Sequence, residues 1–113
     1  MRSESLDAIA GILDRGGDAD EALRSVVGLL ATQPGVSWAG IAFLEEGLLH
    51  LGPEAGTPDE AQRVRAPVAF QGDPVGELWI DGKADPAFLE RVATLISAHV
   101  LVGWDTGGHT WRP

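Results

Sequence analysis

Apolar residues recur every three or four positions near the start of the chain, at Leu6, Ile9, Ile12 and Leu13. That spacing gathers them on one face of an α-helix. Gly16-Gly17 ends it, because glycine accepts the left-handed conformation at a helix C-terminus. A second helical stripe, Leu23, Val26, Val27 and Leu30, follows Asp18. The Asp18 carboxylate is placed to cap free backbone N–H groups, with Glu21 in capping-box position. Pro34-Gly35 stops this helix.

The period then drops to two. In VSWAGIAFL, residues 36–44, Val36, Trp38, Ala42 and Leu44 fall on one face, and Ala39, Ile41 and Phe43 on the other. Both faces are apolar, which predicts a central strand covered on both sides. A turn at Glu45-Glu46-Gly47 leads into a second strand, residues 48–52. Residues 53–61, PEAGTPDEA, read as a polar loop. In residues 63–71, Val64, Ala66, Val68 and Phe70 point inward, with Arg63 and Arg65 opposite them. Pro67 lacks a ladder donor and predicts an edge or irregular position. A turn at Gly72-Asp73-Pro74 precedes a fourth strand, residues 75–80.

The last element is a long helix capped by Asp85, with Pro86 at its first position, where a missing N–H costs nothing. Phe88, Val92, Leu95, Ile96, His99 and Val102 form its stripe. Leu89, Val100 and Leu101 lie beside that stripe and widen the apolar face beyond what packing on one sheet requires. The order is helix, helix, strand, strand, loop, strand, strand, helix. It predicts an α+β fold, with an antiparallel sheet and the terminal helices packed on one face. One domain over residues 1–105 and a flexible tail over 106–113 follow from the pattern.

Composition narrows the chemistry. Eight Lys and Arg against 17 Asp and Glu give a net charge of −9. Such a surface repels phosphate backbones and anionic headgroups, so neither nucleic acid nor a membrane is an expected partner. There is no cysteine, which removes disulfides, thiolate metal sites and sulfur nucleophiles. The N-terminal residues lack the apolar core and cleavage site of a signal peptide, and no stretch is long enough to span a bilayer. The expectation is a soluble, cytoplasmic protein. His50 stands alone among leucines, no Ser-His-Asp arrangement is readable, and no glycine run begins a phosphate loop. No catalytic residue, metal site or cofactor is expected.

Three ordered segments carry a resemblance. Ser37-Trp38-Ala39-Gly40 is similar to an Asn-Trp-Ala-Gly motif on a first strand. LGPEAGTP, residues 51–58, is similar to Leu-Gly-Pro-x-x-Gly-x-Pro, and VGELWIDG, residues 75–82, to a late-strand motif. Together, across roughly residues 5–104, they resemble a GAF domain, specifically the free methionine-(R)-sulfoxide reductase branch. The resemblance implies a GAF-like (profilin-like) fold with a reduced lid. The family's catalytic cysteine position corresponds to Glu60. Its substrate carboxylates correspond to Arg63 and Trp79, with Asp81 alone retained, and an aromatic position is Ala42. Thiol-based sulfoxide reduction needs a sulfur nucleophile and a resolving thiol, and Glu60 supplies neither. An arginine at position 63 would also repel the ammonium of a free amino acid.

These readings leave a non-catalytic, shortened GAF-type domain serving regulation or protein association as the leading expectation. The resemblance implies homodimers built on the first and last helices, here through Leu6, Ile9, Leu13, Leu89 and Leu101. The alternative is a sensor of an amino-acid-like or nucleotide ligand. Its small-molecule site would be lined by Trp38, Phe70, Trp79 and Asp81, although buried tryptophans more often serve as core and Asp81 also suits a turn before Gly82. A divergent methionine sulfoxide reductase is the third reading.

Overall fold

The computed structural model describes residues 3–15 and 18–107. Helices α1 (Ser3–Asp14) and α2 (Ala19–Leu30) lead into strands β1 (Val36–Glu45) and β2 (Leu48–Gly56). A 3₁₀ turn, Glu60–Gln62, precedes β3 (Arg63–Phe70) and β4 (Asp73–Gly82), and α3 (Pro86–Gly107) closes the order. The four strands form one antiparallel sheet in the order β2-β1-β4-β3. The α+β architecture expected from the sequence is therefore present. Gly16-Gly17 and residues 108–113 of the expected tail lie outside the described residues, while residues 106 and 107 belong to α3. Among the described residues no helix is long and apolar enough to cross a membrane.

Both hairpins turn on two residues with positive φ. Glu46 (53°) and Gly47 (80°) join β1 to β2, and Gln71 (52°) and Gly72 (86°) join β3 to β4. Positive φ at both central positions is the type I′ geometry whose twist matches that of the flanking strands. The second turn therefore falls one residue earlier than the sequence predicts, and Asp73 and Pro74 open β4. Residues 53–56 also belong to β2, not to the expected loop. The ladder tolerates Pro53 because Gly40 pairs Glu54 while Ala42 pairs Leu51, leaving Gly52 and Pro53 opposite Ile41 alone. A bulge on an edge strand is where a residue without an N–H costs least. Pro67 lies on β3, the opposite edge, as its missing donor predicts.

Helices α2 and α3 pack on one face of the sheet, and α1 packs across α2 and α3. That face presents Ala39, Ile41 and Phe43 of β1, Leu78 and Ile80 of β4, and Ala66 and Val68 of β3. The α2 stripe, Leu23, Val26, Val27 and Leu30, is fully buried against it. On α3 the buried stripe is Phe88, Leu89, Val92, Ala93, Ile96 and Val100. Leu95 and Val102, expected on that stripe, are 38% and 50% exposed. They stand about 100° around the helix from Ile96 and about 200° from Val100 respectively, too far to reach the sheet. Val64, expected inward, is 39% exposed near the end of edge strand β3.

The helix ends follow the sequence less closely. Asp18 occupies the N-cap of α2 in extended conformation but makes no side-chain cap hydrogen bond. Its carbonyl accepts from the Ala22 N–H instead, at 3.0 Å. Asp85 does accept from the Ala87 N–H, at 3.4 Å.

The inner layers are tight where β4 passes under α3. A Cβ added at Gly76 would run into the Ala42 carbonyl oxygen and lie 3.1 Å from Val100 Cγ1. A backbone oxygen held in a ladder cannot move aside cheaply. Gly76→Ala is expected to lower stability by about 1–3 kcal/mol, read as a lower denaturant midpoint at an unchanged slope.

Candidate functional site

The sheet face away from the helices carries the side chains singled out in the sequence. Trp38 pairs with Asp81 across β1 and β4, Gly40 with Trp79, and Arg63 and Arg65 of β3 pair with Asp81 and Trp79. No helix covers these residues, yet Trp38 is 1% exposed and Asp81 0%. Their neighbours bury them. The Trp38 ring lies over Gly40, where a Cβ would collide with it. Its Nε1 donates to Glu54 Oε1 at 3.0 Å. Trp79 Nε1 donates to Glu77 Oε1 at 2.8 Å.

Arg63 fills the middle of the cluster. Its Nε donates to Asp81 Oδ1 at 2.7 Å and its Nη2 to Oδ2 at 2.9 Å. The same guanidinium lies 4.4 Å from the Trp38 ring centroid and 5.2 Å from that of Trp79. Both distances are within the range of a cation–π attraction. Arg65 lies 4.5 Å from the Trp79 centroid, with its Nη1 3.8 Å from Glu77 Oε1. The chain path explains a further contact. Residues 57–62 carry the backbone from one sheet edge to the other, across three strand spacings or about 14 Å. On the way, the Asp59 N–H donates to Asp81 Oδ2 at 2.7 Å.

A carboxylate without solvent is tolerated only when its charge and lone pairs are satisfied. Here the Arg63 hydrogen bonds, aided by the Asp59 N–H and by the charge of Arg63, hold the Asp81 carboxyl below its ordinary range, against a burial effect of opposite sign. Reciprocally, the Asp81 hydrogen bond raises the Arg63 guanidinium above its ordinary value. The arrangement binds a planar cation through two parallel donors and two rings, and the chain supplies that cation itself.

Of the four residues expected to line a ligand site, Trp38, Trp79 and Asp81 converge and Phe70 does not. Phe70 ends β3 seven residues from Arg63, on the face shared with Ala66 and Val68. Alternation along the strand sends it to the opposite side of the sheet. Glu60 is exposed, its carboxylate 3.9 Å from Arg63 Nη1. Arg63 is what the sequence reading missed as a site residue. Its place opposite Asp81 is set by a register shift in the β3–β4 pairing that the sequence does not mark. Three of the five residues expected at a dimer interface, Ile9, Leu13 and Leu89, are buried within this chain's own core. Ile9 and Leu13 of α1 are enclosed against α2 and α3, and Leu89 against the sheet and α2. Leu6 is half-buried and Leu101 is 39% exposed. His99 of α3 is half-buried, its Nδ1 enclosed and without a hydrogen-bond partner. Among the described residues no three metal-ligating side chains converge.

The Arg63–Asp81 pair makes a signed prediction. A depressed Asp81 pKa stabilises the fold above the unfolded value near 4, and that contribution drains away as pH falls toward the folded value. Asp81→Asn is expected to cost roughly 3 kcal/mol at neutral pH, because it leaves a mostly buried guanidinium without its counter-charge. Below about pH 4, its stability should fall less steeply with acid than the wild type's, by up to about 1.4 kcal/mol per pH unit. Urea unfolding across pH 2.5 to 7 (roughly the window in which carboxylates titrate) reads both effects. Parallel acid limbs would contradict the pairing.

No protein-family model and no curated protein sequence matches the chain. Solved structures do. A protein designated a GAF sensor from Burkholderia vietnamiensis aligns over 92% of this chain and 91% of its own, with a TM-score of 0.75 and 16% identity. The fRMsr of Staphylococcus aureus, solved in complex with substrate, aligns over 87% and 94%, with a TM-score of 0.70 and 16% identity. The type II free methionine-R-sulfoxide reductase from Thermoplasma acidophilum aligns over 73% and 92%, at 0.63 and 21% identity. The chain has a GAF-like fold, shared by reductases and by a protein designated a sensor.

Proposed function

We propose that this chain is a non-catalytic GAF-type domain that serves regulation or protein association as a homodimer. The observation that carries the reading is the Arg63 guanidinium bound to Asp81 beside Trp38 and Trp79, where a small molecule would otherwise find its contacts. The lack of any cysteine supports it, since reduction of a sulfoxide by thiol chemistry needs a sulfur nucleophile. Purified protein with a thiol reductant is expected to leave free methionine sulfoxide unchanged, and Glu60→Cys to gain nothing. Turnover by the unsubstituted chain would end the non-catalytic reading.

The association surface lies on the helical side. Leu95, Leu101 and Val102 of α3 are exposed large apolar side chains. Beside them, a groove of about 510 Å³ runs between Leu6 and Ala10 of α1 and Arg91 and Leu95 of α3. Buried apolar surface stabilises association by about 25 cal/mol per Å² before entropic costs. Light scattering over a concentration series should give a mass above one chain, reduced by Leu95→Asp. A single-chain mass throughout would reject the dimer.

The convergence of Trp38, Trp79 and Asp81 favours one second reading, a sensor of amino-acid-like or nucleotide ligands. Such a ligand must displace Arg63. A thermal-shift panel of amino acids, their sulfoxides and cyclic nucleotides separates the two. A true ligand at a hundred times its dissociation constant stabilises by roughly 2.7 kcal/mol, and silence across the panel favours association.

A further inference from the structure

Without the Arg63 side chain, the outer face still holds every part of a cation receptor. Asp81 presents both oxygens to one side, Oδ1 toward Nε and Oδ2 toward Nη2. The two indole rings present their faces to the same guanidinium carbon. We infer that the Trp38–Trp79–Asp81 cluster is a guanidinium-selective binding site closed by a tethered ligand, the side chain of Arg63. An untethered alkylguanidinium takes the same place once that side chain is removed.

Three sets of contacts that do not involve Arg63 also hold the walls. Trp38 is fixed by its Glu54 hydrogen bond and by its seat on Gly40. Trp79 is fixed by Glu77. Asp81 Oδ2 also accepts from the Asp59 N–H. Selectivity follows from shape. A guanidinium satisfies both carboxylate oxygens through parallel donors in one plane and presents a flat face to a ring, whereas an ammonium is a compact point charge. The tether explains why the site is closed. A group held on a short linker competes at an effective concentration on the order of millimolar. Arg63, anchored in the β3–β4 ladder directly opposite Asp81, excludes weaker free cations.

The test is chemical rescue in the full chain. Arg63→Ala is titrated to about 10 mM ethylguanidinium, the order of that effective concentration, with ethylammonium and sodium chloride at equal ionic strength beside it. Ethylguanidinium is expected to raise the melting temperature by at least about 4 °C, and ethylammonium by clearly less. Neither should stabilise the unsubstituted chain or the Arg63→Ala/Asp81→Asn double variant. If Arg63→Ala is unfolded alone, the same titration is read as the return of helical circular dichroism. No rise or return above the salt control overturns the site, and equal effects of the two cations overturn its selectivity. The association reading is untouched either way, because it is decided by mass.

Discussion

The buried carboxylate of Asp81 is the constraint around which one whole face of this protein is arranged. An ionised group without solvent costs several kcal/mol unless opposite charge and hydrogen bonds replace the water it lost. Asp81 obtains both from two segments, a two-donor guanidinium from β3 and a backbone N–H from the crossing segment. The arginine that answers the charge brings a flat cation close to two indoles, and the indoles complete the enclosure. Gly40 belongs to the same solution, since a side chain there would occupy the volume of the Trp38 ring. Charge, ring and missing Cβ are mutually dependent, so none of them can be changed as an isolated surface residue.

This arrangement answers a difficulty posed by the fold. A four-stranded sheet with helices on one face leaves β1 and β4, its central strands, with a second side to cover. The sequence makes β1 apolar on both sides, and Ala42 on the outer side is completely buried although no helix lies above it. Long, partly polar side chains form the missing layer. Tryptophan and arginine suit that task because each combines a broad apolar or weakly hydrated surface with a polar group that reaches a partner. The edges are protected separately, by Pro53 at a bulge in β2 and by Pro67 in β3, positions where a missing donor discourages pairing with another chain.

Element types and faces were legible in the residues, because periods of 3.6 and 2 follow directly from backbone geometry. Trp38, Trp79 and Asp81 were legible as a group because they alternate on two strands that the fold makes neighbours. The role of Arg63 was not, and a bulge explains why. Uninterrupted pairing from Phe70 opposite Asp73 would have set Arg63 opposite Ile80, a core residue. The register shift that leaves Val75 without a partner moves Arg63 to Asp81 instead. A one-residue shift changes which side chains meet, and nothing in VGELWI marks where it falls. Three of the residues expected at an interface lie in the core for a related reason. Ile9, Leu13 and Leu89 looked like surplus apolar surface only because the curvature and cover of the inner face cannot be read from a helical stripe. The surplus on α3 lies off the buried stripe, at Leu95, Leu101 and Val102.

The state of the outer face depends on the residue opposite the buried carboxylate. A neutral or acidic side chain at that cross-strand position would leave Asp81 with only the Asp59 N–H, and the carboxylate would have to protonate, hydrate or recruit a cation from solution. An arginine there removes the need by binding internally at no cost in translational freedom, which a free ligand must give up. The same geometry that makes the cluster a good receptor therefore makes it a stable piece of wall. The length and charge of one side chain close this face, since Arg63 reaches Asp81 with two of its donors.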